Sequence, residues 1–89
     1  MLNPSYTNQF QKDLKLMLRR GKPVEKFKEV ANHLIAQSVL DVRLRNHKLS
    51  GNYKDRWECH LEPDWLLIYK LSGNEIIFER TGTHSDLFE

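Results

Sequence analysis

The chain has 89 residues, of which 39% are hydrophobic and 29% charged, with a formal net charge of +2. That length suits one domain, 1–89, with one modest core, and the composition excludes a disordered chain. No apolar run approaches the ~18–20 residues of a membrane span, and the lone cysteine, Cys59, excludes an internal disulfide.

The opening "MLNPSYTNQF" lacks the charged and apolar regions of a secretory signal, so a reducing cytoplasm is the expected location. Within it, "LNPSY" reads as a short edge strand, because Pro4 is excluded from a central position. Thr7 fits an N-cap, and Phe10, Leu14, Met17 and Leu18 follow on one helical face. Gly21 can end that helix, and Pro23 suits the first turn of the next. Val24, Phe27, Ala31, Leu34 and Ile35 mark a second amphipathic helix ending near Ser38. The short connection makes the two helices antiparallel neighbours.

The period changes after residue 50. "GNYKDRWECHLE" alternates, with Tyr53, Trp57, Cys59 and Leu61 on one face and Lys54, Arg56, Glu58 and His60 on the other. "EPDW" is a turn, "WLLIYKL" a strand covered on both faces, "SGNE" a hairpin turn and "EIIFERT" the next strand. The expected fold is therefore α+β. An N-terminal strand and two antiparallel helices pack on an antiparallel sheet completed by a C-terminal three-stranded meander. The last stretch, "RTGTHSDLFE", shows neither helical nor strand periodicity.

Charge is unevenly spread. Residues 1–56 hold twelve Lys and Arg against five Asp and Glu, a net +7; residues 57–89 hold two against seven, a net −5. The basic half could face a polyanion, but from charge alone solvated helix faces are the favoured account.

Two-residue turns at Pro63-Asp64 and Gly73-Asn74 set His60 opposite Leu67 and Leu67 opposite Arg80. His60 and Arg80 then share a sheet face, roughly 10 Å apart at the backbone. His47, in the loop before the meander, and His84, just beyond Arg80, converge on the same end. Histidines 47, 60 and 84 lack the short spacings of common zinc motifs, so no metal or other cofactor is expected. RNA cleavage fits the set better. Histidine can move the protons of the 2′-hydroxyl and the 5′-oxygen near neutral pH, arginine matches phosphate oxygens, and aromatic residues such as Trp65 and Phe88 can stack on bases. Each residue also fits a plainer role: His60 in packing, His47 and His84 as exposed loop residues, Arg80 in an ion pair, Asp64 as a turn former, Trp65 in the core.

The segment "RNHKLSGNYKDRWECHLEPDWLLIYKL" followed by "FERTGTHSDLF" resembles the YafQ-type toxins of the RelE/ParE superfamily over Val42 to Phe88. The resemblance implies a small bacterial toxin that cleaves mRNA without a metal, in the ribosomal A site, and is neutralised by a cognate antitoxin. It places His60, Asp64, Arg80 and His84 in catalysis and His47, Trp65 and Phe88 on the substrate. The implied partners are mRNA, the ribosome and the antitoxin, with no membrane. Two alternatives stand beside this: a non-enzymatic RNA- or protein-binding module, and a gyrase-inhibiting ParE-like toxin.

Overall fold

A computed structural model describes residues 1–88, with the exception of the Asn52 side chain. Five strands form one sheet: β1 (Asn3–Tyr6), β2 (His47–Lys48), β3 (Trp57–Glu62), β4 (Trp65–Ser72) and β5 (Glu75–Gly82), in the spatial order β1-β5-β4-β3-β2. The helices are α1 (Asn8–Arg19), α2 (Val24–Ile35) and a short α3 (His84–Phe88). The α+β class and the helix pair are as expected. The sheet is mixed, because β1 runs parallel to β5 while the other pairings are antiparallel. β2 adds a strand where the sequence suggested a loop.

Thr7 caps α1 as its residue type predicts. It has extended backbone, and its hydroxyl accepts from the Phe10 N–H at 2.9 Å and donates to the Glu79 carbonyl at 3.0 Å. Such a cap is worth about 1 kcal/mol, and here it also ties the helix to β5. Phe10 and Met17 are buried, whereas Leu18 is exposed. The third buried position of α1 is Asp13 rather than a leucine. Phe27, Val30, Ala31 and Leu34 bury α2, and the Phe10 and Phe27 rings lie 5.3 Å apart where the two helices meet. Pro23 stands one position ahead of its expected place, as the residue before the first turn.

Alternating residues of β3, β4 and β5 form the face beneath the helices. Cys59, Leu61, Leu67, Tyr69, Ile76 and Phe78 are buried in one cluster with them. Trp65 belongs to this cluster too. It is fully buried, and its indole N–H donates to Thr81 Oγ1 at 2.8 Å. The opposite face carries a smaller cluster of Leu66, Ile68 and Leu87, with Leu49 and Tyr53 against it. Tyr53 therefore lies across the sheet from Trp57, the reverse of what simple alternation gives. A 3-10 turn at Gly51–Tyr53 breaks the period before β3 begins.

Both tight turns have the expected length, since Glu62 pairs with Trp65 and Ser72 with Glu75. Each hairpin then contains a bulge. His60 pairs with Leu66 instead of Leu67, and Arg80 with Ile68 instead of Leu67. One slip alone would turn a side chain to the other face. The two slips cancel, because residues 66 and 68 share a face, so His60 and Arg80 stay on the same side while moving apart along the strands.

Candidate active site

Where β2, β3 and the start of α3 meet, three imidazoles stand in a row. His47 pairs with Glu58 across the β2–β3 ladder, and His60 follows Glu58 by two residues on the same face. Glu58 Oε1 lies 3.2 Å from His60 Nε2 and 3.5 Å from His47 Nε2. Glu58 is buried, and a carboxylate tolerates burial only when paired. The His47 and His60 ring centroids are 6.4 Å apart, and those of His60 and His84 are 5.8 Å apart at an inclination of 62°. His47 Nδ1 lies 2.6 Å from the Arg45 carbonyl, which can only accept, so Nδ1 carries the hydrogen.

His84 opens α3. Its backbone N–H donates to Asp64 Oδ1 at 2.9 Å, and its ring Nδ1 lies 2.6 Å from the same oxygen. The His84 backbone N–H foremost, and then its ring, hold Asp64 below the usual carboxylate range. An ionised carboxylate only accepts, so Nδ1 is the donor and Nε2 is the ring nitrogen left over. Asp64 thus orients His84.

The tail ends in a helical turn that the sequence does not announce by periodicity. Thr83 Oγ1 accepts from the Asp86 N–H at 3.2 Å, while the Thr83 N–H donates to Asp86 Oδ2 at 3.0 Å. This is the reciprocal logic of a capping box. Leu87 is buried over Leu66 and Ile68 and seats the turn, leaving Phe88 exposed beside His84 at 6.5 Å. Tyr53 braces it from the other side, with its ring edge-on to Phe88 at 5.4 Å and its hydroxyl donating to the Leu87 carbonyl at 3.3 Å.

Arg80 stands apart from the histidine row. Its Nε lies 2.7 Å and its Nη2 3.4 Å from the two oxygens of Asp13. That pairing raises the guanidinium above its ordinary value, with a smaller contribution from the Tyr53 hydroxyl alongside. Asp13 Oδ2 also accepts the Thr81 N–H at 3.2 Å, on a stretch of β5 beyond Phe78, the partner of the last β1 residue, Tyr6.

The seven residues singled out from the sequence therefore separate. His47, His60, Asp64, His84 and Phe88 form one continuous strip. Arg80 joins it through Tyr53. Trp65 is buried in the main core and offers no face to a base, so its expected stacking role is withdrawn. Three contributors were missed. Glu58 was legible as the acidic neighbour of His60 in the alternation. Asp13 was legible as a carboxylate inside the apolar stripe of α1. Tyr53 carried no signal, because its placement follows from an irregular turn. Cys59 is buried in the core, and burial pushes its thiol up to about 12, so it is inert as a nucleophile.

A groove of about 1000 Å³ between α2, the 39–45 loop and the end of β3 opens on this strip. His60 and His84 are among the residues that line it. Its charges are mixed, Lys26, Arg43 and Arg45 standing against Glu29, Asp41 and Glu62.

Residues 2–89 match the family described as the bacterial toxin of type II toxin–antitoxin systems, YafQ. The chain belongs to the YafQ family. It is 43% identical over 84 residues to the mRNA interferase toxin YafQ of Escherichia coli strain K12, covering 93% of this chain and 91% of that protein. The crystal structure of YafQ from E. coli strain BL21(DE3) superimposes with a TM-score of 0.94 at 39% identity, over 100% of both chains. YafQ in the E. coli DinJ–YafQ complex superimposes with a TM-score of 0.91 at 40% identity, again over 100% of both. Small size, the helix pair and the five-stranded sheet are thus features of the YafQ fold. Among the described residues, no helix is long and apolar enough to cross a membrane.

Proposed function

We propose that this YafQ-family toxin, an endoribonuclease like its E. coli relative, cleaves mRNA by attack of a 2′-hydroxyl on the adjacent phosphate. One observation carries the reading. Two imidazoles, one paired with Asp64 and the other with Glu58, stand with ring centroids 5.8 Å apart in the lining of an open groove. Cleavage by this route needs a base for the 2′-hydroxyl and an acid for the departing 5′-oxygen, on opposite sides of one phosphorus. His84, oriented by Asp64, presents Nε2 from one side. His60, held by Glu58, stands on the other, with His47 completing the Glu58 pair. A positioned acid or base of this kind contributes typically ~10²–10⁴-fold.

Arg80 supplies a fixed positive charge on the same sheet face, and Asp13 sets its direction. The bond to Asp13 occupies Nε and Nη2 and leaves Nη1 for a phosphate oxygen. Phe88, exposed at the end of the strip, offers a ring on which a splayed base can stack. The ribosome presents the mRNA, and Lys12, Lys15, Arg19 and Lys28, all exposed on α1 and α2, contact its RNA. A protein antitoxin neutralises the toxin, as DinJ accompanies YafQ in the related complex.

The test uses a defined mRNA with and without ribosomes, in EDTA, beside a folded His60→Ala, His84→Ala variant. Expected are cuts that survive chelation, leave 2′,3′-cyclic or 3′-phosphate ends and disappear in the variant. Intact mRNA in both lanes, or cuts unchanged in the variant, would overturn the reading.

A further inference from the structure

The Asp64–His84 couple is assembled from two separate pieces of chain, the β3–β4 turn and α3. Each piece is anchored to one region, the end of α1, the connection after it and the first turn of α2. Arg20, at the end of α1, meets Asp86 of α3 with Nη1 at 2.7 Å from Oδ2 and Nη2 at 3.3 Å from Oδ1. Lys22 and Lys26 meet the two oxygens of Glu62, each at 2.8 Å. Asp86 lies two residues after His84, and Glu62 two residues before Asp64. Four ionic contacts therefore fix both halves of the couple against one rigid helix hairpin.

We propose that Arg20, Lys22 and Lys26 are positioning residues for the cleavage reaction, holding the β3–β4 turn and α3 in register so that Asp64 keeps His84 aimed at the substrate. This rests on the cleavage reading given above. The couple needs the help, because both its side chains are more than half exposed, at 55% and 63%. An exposed pair of this kind is worth only about 0–1 kcal/mol by itself. Arg20–Asp86 is a two-pronged pair, and Glu62 is shared between two lysines, so each anchor resists rotation as well as separation. Gly82 shows how closely α3 sits. A Cβ there would stand 3.0 Å from Asp86 Cβ and 3.1 Å from its Oδ2. A displacement of about 1 Å at a reacting group can cost ~10²-fold in rate, so small anchors have a large lever.

The competing role for these cations is direct RNA contact, and the carboxylate partners separate the two. In Glu62→Gln and Asp86→Asn the cations remain and only their internal partners go. RNA contact predicts binding and cleavage equal to or above wild type. Positioning predicts a single-turnover rate on the preformed ribosome complex about tenfold lower in each, with little change in affinity. It also predicts that Arg20→Lys, which keeps a cation beside Asp86, retains most of the rate that Arg20→Ala loses. Hydrogen exchange at the His84 backbone amide, which donates to Asp64, gives a readout that needs no cleavage. Its protection should fall about tenfold in both carboxylate variants. Unchanged protection and unchanged rate would overturn the proposal. If wild type itself cut no RNA, the cleavage reading would fall, while the exchange data would still report whether the anchors align the couple.

Discussion

Glu58 is the residue through which two of the three histidines are held, and it is the most sensitive point of the strip. Its carboxylate is buried and faces both His47 and His60. Glu58→Gln keeps the shape and an acceptor oxygen but removes the charge, so the imidazoles lose their common negative partner without leaving a cavity. We expect single-turnover cleavage to fall about ten- to a hundredfold, less than the ~10²–10⁴-fold of a positioned acid or base because the imidazoles themselves remain, with the melting curve little changed. Trp65 is the contrasting case. Trp65→Phe removes the bond to Thr81 and should cost about 1 kcal/mol of stability, measured by denaturant titration, while leaving cleavage per folded molecule unaltered. A large rate loss there with full stability would return Trp65 to the substrate site. These two residues mark how much of the site was legible from sequence. Residue type and spacing brought His47, His60 and His84 together and suggested Phe88, while Asp64 joined them only through the family resemblance. They could not tell a buried tryptophan from an exposed one, nor show that Arg80 turns to Asp13, because both depend on how far α1 and β1 cover β5.

At the level of elements, α3 and the two bulges carry the lesson. The order of strands and helices was readable from periodicity and turn residues. Register was not, because a bulge leaves no mark in a pattern of apolar and polar residues. The shared face of His60 and Arg80 survived only because two bulges cancelled. α3 escaped periodicity because it is a single capped turn. Its stability rests on Asp86, which the Arg20 guanidinium foremost, and then the Thr83 N–H, holds down to about 2. The folded value lies below the unfolded one, near 3.9. Asp86 therefore contributes stability that is fully present above about pH 5 and lost as pH falls toward 2. Melts of wild type and Asp86→Asn should differ most at pH 5 and above and converge near pH 2; a gap that widened on acidification would show the sign to be wrong. Gly82→Ala should unseat the same turn, since the added methyl meets Asp86, and should lower cleavage more than it lowers the melting temperature. Deleting the chain after Gly82 is a poorer test, because it uncovers Leu66 and Ile68 as well as removing His84 and Phe88.

Over the whole molecule, the basic first half divides into cations with different tasks. Arg20, Lys22 and Lys26 are committed to Asp86 and Glu62, and Arg43 to Asp41 at 2.9 Å. A cation already neutralised inside the fold releases few counterions when a polyanion arrives, so the sequence total of +7 overstates the charge offered to RNA. Lys12, Lys15, Arg19 and Lys28 lie exposed on the helices, on the layer opposite Leu66, Ile68 and Leu87. Each phosphate contact they make contributes about 0.7–0.9 to the slope of log affinity against log salt. Changing all four to glutamine should therefore weaken ribosome binding at low salt and flatten that slope by up to about three, as measured by sedimentation or filter binding across a salt series. The cleavage rate within the preformed complex should hold, because none of the four touches the Asp64–His84 couple or its anchors. Glu62→Gln and Asp86→Asn should behave in the opposite way, with slope retained and rate lost. If the four-residue variant kept its full salt slope, the helical face would not be the surface that meets RNA. If it lost rate with slope unchanged, the division of the cations into recruiting and positioning groups would be wrong.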